Sequence, residues 1–228
     1  MTRFTFFAAL FWLFSTPVWA DYDAGLAAAK SGDFKAARAE WGALAEKGDA
    51  QSQYQYGMLI ARGLGGPGDF AIAADWFRRA AAQGDTNAQF ALGLMHNRGQ
   101  GVEQSQKLAV EWYRSAAEGG NADAQYNLAI AYVKGNGVAK DETEGAKWFA
   151  AAAEQGYENA LVNLGVLHSV GKGVPRDQVT AYKWFHIADQ RGVRGASQAM
   201  RRLKSELTVD QISDAEQRAS EWLVAHPR

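Results

Sequence analysis

Residues 168–177 read HSVGKGVPRD, and glycines on both sides of a lysine in a short loop are the ingredients of a phosphate cradle. A P-loop needs G-x-x-x-x-G-K-[S/T], because backbone N–H groups ring the phosphates and the hydroxyl holds magnesium. Here five residues separate Gly165 from Gly171, and Lys172 is followed by Gly173 where the hydroxyl should stand. No strand pattern precedes the loop, so the spacing argues against phosphate binding. The histidines His96, His168, His186 and His226 form neither H-E-x-x-H nor a paired Glu-x-x-His, the spacings that put two ligands on one helix face. No G-x-S-x-G elbow occurs, and the absence of cysteine removes a thiol nucleophile and a thiolate metal site. Most carboxylates fall at caps or on solvent faces. The residues assign no catalytic group, no metal and no cofactor.

The glycines have a different logic. Gly63, Gly99, Gly135 and Gly171 lie 36 residues apart, and Gly65, Gly101, Gly137 and Gly173 keep the same step. Lysine at 172 is incidental to that pattern; glycine is what recurs. A catalytic loop is needed once, whereas a turn in a repeat is needed every time. Other columns obey the period. Trp76, Trp112, Trp148 and Trp184 are each followed by an aromatic, namely Phe77, Tyr113, Phe149 and Phe185. Small residues recur at Ala73, Ala109, Gly145 and Ala181, and at Ala80, Ala116, Ala152 and Ala188. Gly84, Gly120, Gly156 and Gly192 close four gapless units at 49–84, 85–120, 121–156 and 157–192.

Each unit reads as two helices. Gln125, Leu128, Ala129 and Tyr132 fall on one face of the first helix. Glycine stops that helix at the position where a left-handed backbone is least costly. The second helix opens at the column Asp69, Ser105, Asp141 and Asp177, whose side-chain oxygens accept free backbone N–H groups. Glu144, three residues after Asp141, resembles the second half of a capping box. Gly145, Trp148 and Ala152 form the packing stripe, so the tryptophan column is expected in the core rather than as a ligand platform. One pair cannot bury its stripe alone, and stacked copies bury a continuous core. The expected fold is therefore all-α, a solenoid of stacked antiparallel helix pairs.

The ends are expected to cap the stack, as repeat arrays require. Residues 21–48 read as a related helix pair with a tighter turn at Ser31-Gly32-Asp33, and Trp41, Leu44 and Ala45 continue its stripe. Residues 193–228 read as closing helices. Thr208 to Gln211 matches a capping box, and Ile212, Ala215, Ala219, Trp222 and Leu223 form one face.

Residues 1–20 differ from the rest. Arg3 precedes an apolar run from Phe4 to Phe14, and Val18-Trp19-Ala20 ends the segment. This is the pattern of a secretory signal peptide cleaved after Ala20. The run is too short to span a bilayer comfortably, and no apolar stretch of spanning length follows it. The expected location is periplasmic or secreted, with no membrane insertion after leader removal. With 24 Lys and Arg against 25 Asp and Glu, the net charge of −1 argues against a nucleic-acid surface built on bulk positive charge.

Units such as NADAQYNLAIAYVKGNGVAKDETEGAKWFAAAAEQG resemble Sel-1-like repeats, relatives of tetratricopeptide repeats, of the exported bacterial type. The resemblance covers 49–192 and rests on A-x-x-x-L-G/A-x-x-Y, the G-x-G-V turn, the capped start and A-x-x-W-F-x-x-A-A-x-x-G. It departs at Gly66-Pro67 in the first unit and at Leu161-Val162 in the fourth. It implies a right-handed superhelix whose first helices line the concave side, and a non-catalytic adaptor of the bacterial cell envelope that binds a protein or peptide as a monomer. Beside the packing stripe lie Gln51, Tyr54, Met58 and Ala61, then Asn87, Phe90, Leu94 and Asn97, then Asp123, Tyr126, Ile130 and Val133, then Asn159, Val162, Val166 and Ser169. From these, Gln51, Tyr54, Asn87, Phe90, Asn97, Asp123, Tyr126, Asn159 and Ser169 are the partner-binding candidates, with polar groups at one edge and apolar groups beside them suiting an extended peptide or a helix. The apolar members also have a second use, packing neighbouring first helices together. Arg62, Arg98 and Lys134 form a basic column that Val170 breaks; it would suit an acidic partner, but cations near helix C-termini are favourable without one. The alternative function is an envelope hydrolase acting on a cell-wall or β-lactam-like substrate. Some cysteine-rich exported relatives are linked to β-lactams, and this chain lacks their cysteines.

Overall fold

The structure, a computed structural model, describes residues 21–227. The leader assigned to residues 1–20 lies outside them. The described residues contain twelve helices and no strand. The first pair is α1 (Tyr22–Ser31) and α2 (Phe34–Glu46). Four pairs follow: α3 (Ala50–Arg62) with α4 (Phe70–Ala82), α5 (Thr86–Arg98) with α6 (Gln106–Glu118), α7 (Ala122–Lys134) with α8 (Glu142–Glu154), and α9 (Glu158–Val170) with α10 (Gln178–Gln190). Then come α11 (Ala196–Lys204) and α12 (Val209–Ala225). Each helix from α1 to α10 packs on the next, and α12 returns to pack on α10. This is the all-α solenoid of stacked pairs that the period dictates.

The second-helix caps form as their residue types require. Asp69, Ser105, Asp141 and Asp177 each accept from backbone N–H groups of the first turn. Glu144 does not complete a box with Asp141; it pairs with Lys147 at 2.5 Å instead. Thr208 and Gln211 do form a reciprocal capping box. First helices are capped by Asp49, Asp85 and Asn121, but Tyr157 in the fourth repeat supplies no side-chain cap.

The two turn glycines have separate jobs. The first ends the helix in the left-handed region, with φ of 65, 68, 73 and 72° at Gly63, Gly99, Gly135 and Gly171. The second also has positive φ, and a Cβ on it would lie inside the backbone that opens the preceding second helix: Phe34 for Gly65, Phe70 for Gly101, Gln106 for Gly137 and Glu142 for Gly173. The G-x-G loop is thus where one repeat seats on the one before it. That Gly65 meets α2 as Gly101 meets α4 shows that the N-terminal pair presents the same surface as a repeat.

The core is built around the aromatic that follows each tryptophan. Phe77, Tyr113, Phe149 and Phe185 are buried. A Cβ on Gly57, Gly93 or Gly165 would come within 2.7, 2.5 and 2.8 Å of Phe77, Tyr113 and Phe185 respectively, so those first-helix glycines exist to admit the ring. The tryptophans are less uniform than their period suggests. Trp76 and Trp184 are buried, but Trp112 and Trp148 are only half-buried. The column packs, yet its middle members keep an edge in solvent.

Buried glutamines stitch repeats together. Gln53, Gln89 and Gln125 donate from Nε2 to the carbonyls of Ala45, Ala81 and Ala117, each at the end of the preceding second helix. Gln53 and Gln125 accept in turn from Gln83 and Gln155 at 2.8 and 2.7 Å. Gly119 stands where that donor would be in the second repeat, and Gln89 Oε1 is buried without a partner. In the fourth repeat Leu161, fully buried, replaces the glutamine. At the C-terminal end Trp222 of α12 is buried, donates to Glu154 of α8 at 2.7 Å and stacks on His226 with centroids 4.2 Å apart.

Candidate functional site

The first helices create a groove on one face of the stack. Between α7 and α9 it holds a cavity of about 470 Å³, walled by Tyr126, Ile130, Val133, Val166 and Val170 over a floor of Phe149. Val166 and Val170, one helical turn apart, are 42 and 53% exposed and together form an open apolar patch. Lys134 and Lys172 stand at its rim. Tyr126 sets the far wall, with its ring 5.6 Å from Phe149 and 4.9 Å from Tyr157. Burial and the neighbouring Asp123 carboxylate push the Tyr157 hydroxyl up to about 12, so at neutral pH it is a proton donor facing Asp123.

A second cavity of about 320 Å³ lies between α3 and α5. Its walls are the same columns two repeats earlier: Met58 for Ile130, Ala61 for Val133, Leu94 for Val166, and Phe77 for Phe149 on the floor. Its cations are Arg62 and Arg98. A third cavity, of about 370 Å³ between α9 and α11, shares Val166 and Val170 with the first and adds Ser169, Arg202 and Leu203.

The nine candidate residues divide into two groups. Tyr126 lines the α7–α9 cavity and Ser169 the α9–α11 cavity, where Ser169 also donates to the Val166 carbonyl at 2.8 Å. Tyr54 and Phe90 are half-buried, each 5.8 Å from the ring that its own repeat buries, Phe77 and Tyr113. The polar edge is largely engaged within the fold. Asn87 accepts from Asn121 of the next repeat at 3.1 Å, and Asp123 faces Tyr157 of the repeat after its own. Asn97 braces its own turn by accepting from Gln104 and Gln106 at 3.0 and 2.8 Å. Gln51 and Asn159 are exposed at the starts of their helices.

Sequence reasoning set Lys172 aside because lysine does not recur at that turn. The structure places it on the groove. The signal was present in a comparison over 72 residues: the pair Arg98 and Gln100 becomes Val170 and Lys172, so the cation moves by two positions and the groove keeps two.

The histidines have local surroundings. His96 Nδ1 lies 3.0 Å from the Glu103 carbonyl. His168 occupies the same column, and burial lowers its pKa. Among the described residues no group of three His, Cys, Asp or Glu side chains is placed to hold a metal ion, and no helix is long and apolar enough to cross a membrane.

Stacked 36-residue helix pairs with cavities between first helices define a helical-repeat protein. The Sel1 repeat matches at residues 50–85, 86–121, 122–157 and 159–192, and the chain belongs to that family. Proteins of the family generally act as interaction scaffolds. A Sel1 repeat protein from Oxalobacter formigenes is similar in structure, with a TM-score of 0.77, 27% identity, and coverage of 88% of this chain and 85% of that one. The protective antigen c5321 of uropathogenic Escherichia coli, which displays an SLR fold, has a TM-score of 0.55 and 28% identity, covering 90% of this chain. The present chain spans about half of that antigen, 53% of its length. No curated protein matches the chain.

Proposed function

We infer that the protein is a non-catalytic adaptor of the bacterial cell envelope that holds a protein or peptide partner in the first-helix groove and works as a monomer. The observation that carries this reading is the open α7–α9 groove, where Val166 and Val170 stand exposed beside a buried aromatic floor. Inter-repeat packing alone would bury them, as it buries Leu164 and Leu167 on the same helix. Membership of a scaffold family supports the reading, and the leader pattern of residues 1–20 supports the location.

The test is cross-linking mass spectrometry of the tagged full chain in its native envelope, quantified against an unrelated exported control. A single enriched protein that disappears with Val166→Asp is the expected result. No enrichment despite a folded, exported bait would sink the adaptor reading. N-terminal sequencing of the exported protein tests the location, and a mature chain beginning at Asp21 is expected.

A further inference from the structure

We propose that the groove selects an acidic, aliphatic segment of its partner protein, with bulky aliphatic side chains seated in the α3–α5 and α7–α9 cavities and carboxylates against Arg62, Arg98, Lys134 and Lys172. This rests on the adaptor reading and adds the chemistry of the occupant.

Three observations converge on it. First, the two cavities are one design used twice. Each has an aliphatic wall from both first helices, a buried phenylalanine floor and two cations at the rim. Spacing by two whole repeats suits a chain that runs along the stack and places side chains at intervals, which is how a polypeptide meets a groove.

Second, the cations form no ion pairs within the fold, although the Lys172 charge, after that of Lys140, helps hold the Glu142 carboxyl below its usual range. Among the described residues none of the four takes part in an ion pair, whereas on the second helices Arg78 pairs with Asp75 and Lys147 with Glu144. The chain as a whole is slightly acidic, so two unpaired cations at each cavity are a local arrangement and not a by-product of a basic protein.

Third, helix-terminus electrostatics does not explain Lys172. Arg62, Arg98 and Lys134 sit in the last turns of their helices, where the backbone dipole favours a cation. The last turn of α9 carries no Lys or Arg, and Lys172 lies beyond its C-cap Gly171. What Lys172 shares with the other three is the groove rim. The shift from Arg98 and Gln100 to Val170 and Lys172 changes the column and preserves the charge at the cavity, while the added valine enlarges the aliphatic wall. Opposed charge at a rim acts mainly on encounter rate and specificity, and the apolar contacts supply the lifetime of the complex.

The experiment uses the full chain, immobilised through a C-terminal tag, and a phage-displayed library of random dodecapeptides. Enriched peptides are synthesised with a fluorophore and titrated by anisotropy. The expected result is enrichment of sequences that join Leu, Ile or Phe to Asp or Glu. Their affinity should fall about tenfold for the double variant Lys134→Glu with Lys172→Glu, and should weaken as salt is raised. The charge-matched double variant Lys30→Glu with Lys35→Glu, which lines none of the three cavities, should change it by less than about twofold. Far-UV circular dichroism confirms that the variants fold. Enriched peptides that are basic or uncharged, or binding indifferent to Lys134→Glu with Lys172→Glu, would overturn the acidic-segment assignment and leave the adaptor reading standing. An empty selection overturns the assignment too, and the adaptor reading is then decided by the envelope cross-linking. Adsorption to phosphatidylglycerol vesicles without peptide binding would overturn it in favour of a lipid surface.

Discussion

The junction between the second and third repeats and that between the third and fourth use the same columns and opposite chemistry. At the earlier junction Asn121 caps α7 and donates to Asn87, while buried Gln125 reaches back to the Ala117 carbonyl. At the later one the cap is replaced by Tyr157, whose ring packs at a tilt against Tyr126, and the glutamine by Leu161, which is fully buried. Both hold. A buried amide and a buried leucine are alternative solutions provided that no polar partner is stranded, because an orphaned group is what carries the cost. The difference also bears on the groove: the aromatic and aliphatic junction is the one beside the larger cavity.

The largest test removes what the two junctions have in common. Ala at Gly173 would have positive φ and a Cβ inside the backbone at Glu142, and should cost more than about 3 kcal/mol in urea unfolding. The matching Gly156→Ala, whose nearest neighbour is a side-chain atom of Trp222 at 4.0 Å, pays only for its backbone and should cost about 1 kcal/mol. Equal losses would show that seating of one repeat on the next is not what the second turn glycine does. Next comes Leu161→Ala, which opens a cavity at the apolar junction and should cost about 3 kcal/mol.

The polar junctions give a sharper contrast of smaller size. Gln125→Leu removes two hydrogen bonds, one to the Ala117 carbonyl and one from the Gln155 amide, and should cost about 2 kcal/mol. Gln89→Leu loses one long bond of 3.4 Å and relieves an unpartnered buried oxygen, so it should cost less than about 1 kcal/mol. If Gln89 proves the more costly of the two, the account of the glutamine ladder is wrong.

The smallest effect is that of Tyr157→Phe, at about 0.5 kcal/mol near neutral pH. Its clearer readout is optical. Burial pushes the Tyr113 and Tyr157 phenols up to about 12 and also raises Tyr54 and Tyr182, and the variant should remove one of these late phenol ionisations at 295 nm. The sign follows from the raised pKa: the folded state holds the phenol proton more tightly than the unfolded chain. The stabilisation is complete below the free-phenol value of 10.0 and is lost as pH rises from there to about 12, where the wild type should be the more alkali-sensitive protein.

The fold was legible because packing demands recur with the helix pair. Tryptophan, the aromatic after it, the small residues and the closing glycines repeat without a gap, and the caps follow from residue type. What repeated columns cannot show is how far each copy is covered. Trp112 and Trp148 share a column with Trp76 and Trp184 yet are only half-buried, since exposure depends on neighbours in adjacent repeats. The site was half legible. Tyr126 lies on the cavity that its column suggests, but Asn87 and Asn97 are hydrogen-bonded within the fold. Lys172 was hidden because its charge is conserved in space and not in column.

The seating of each G-x-G turn on the helix before it has a consequence for how such a chain changes over time. Every contact of that kind joins a position to one a fixed number of residues earlier, so excision or insertion of a whole 36-residue unit rejoins like with like, while any other length leaves a glycine facing the wrong backbone. Genetic length variation in this protein should therefore be quantised. Because each cavity draws walls from two successive first helices, a lineage that gains one unit gains one more junction of the kind that can frame a cavity, without redesigning any surface it already has.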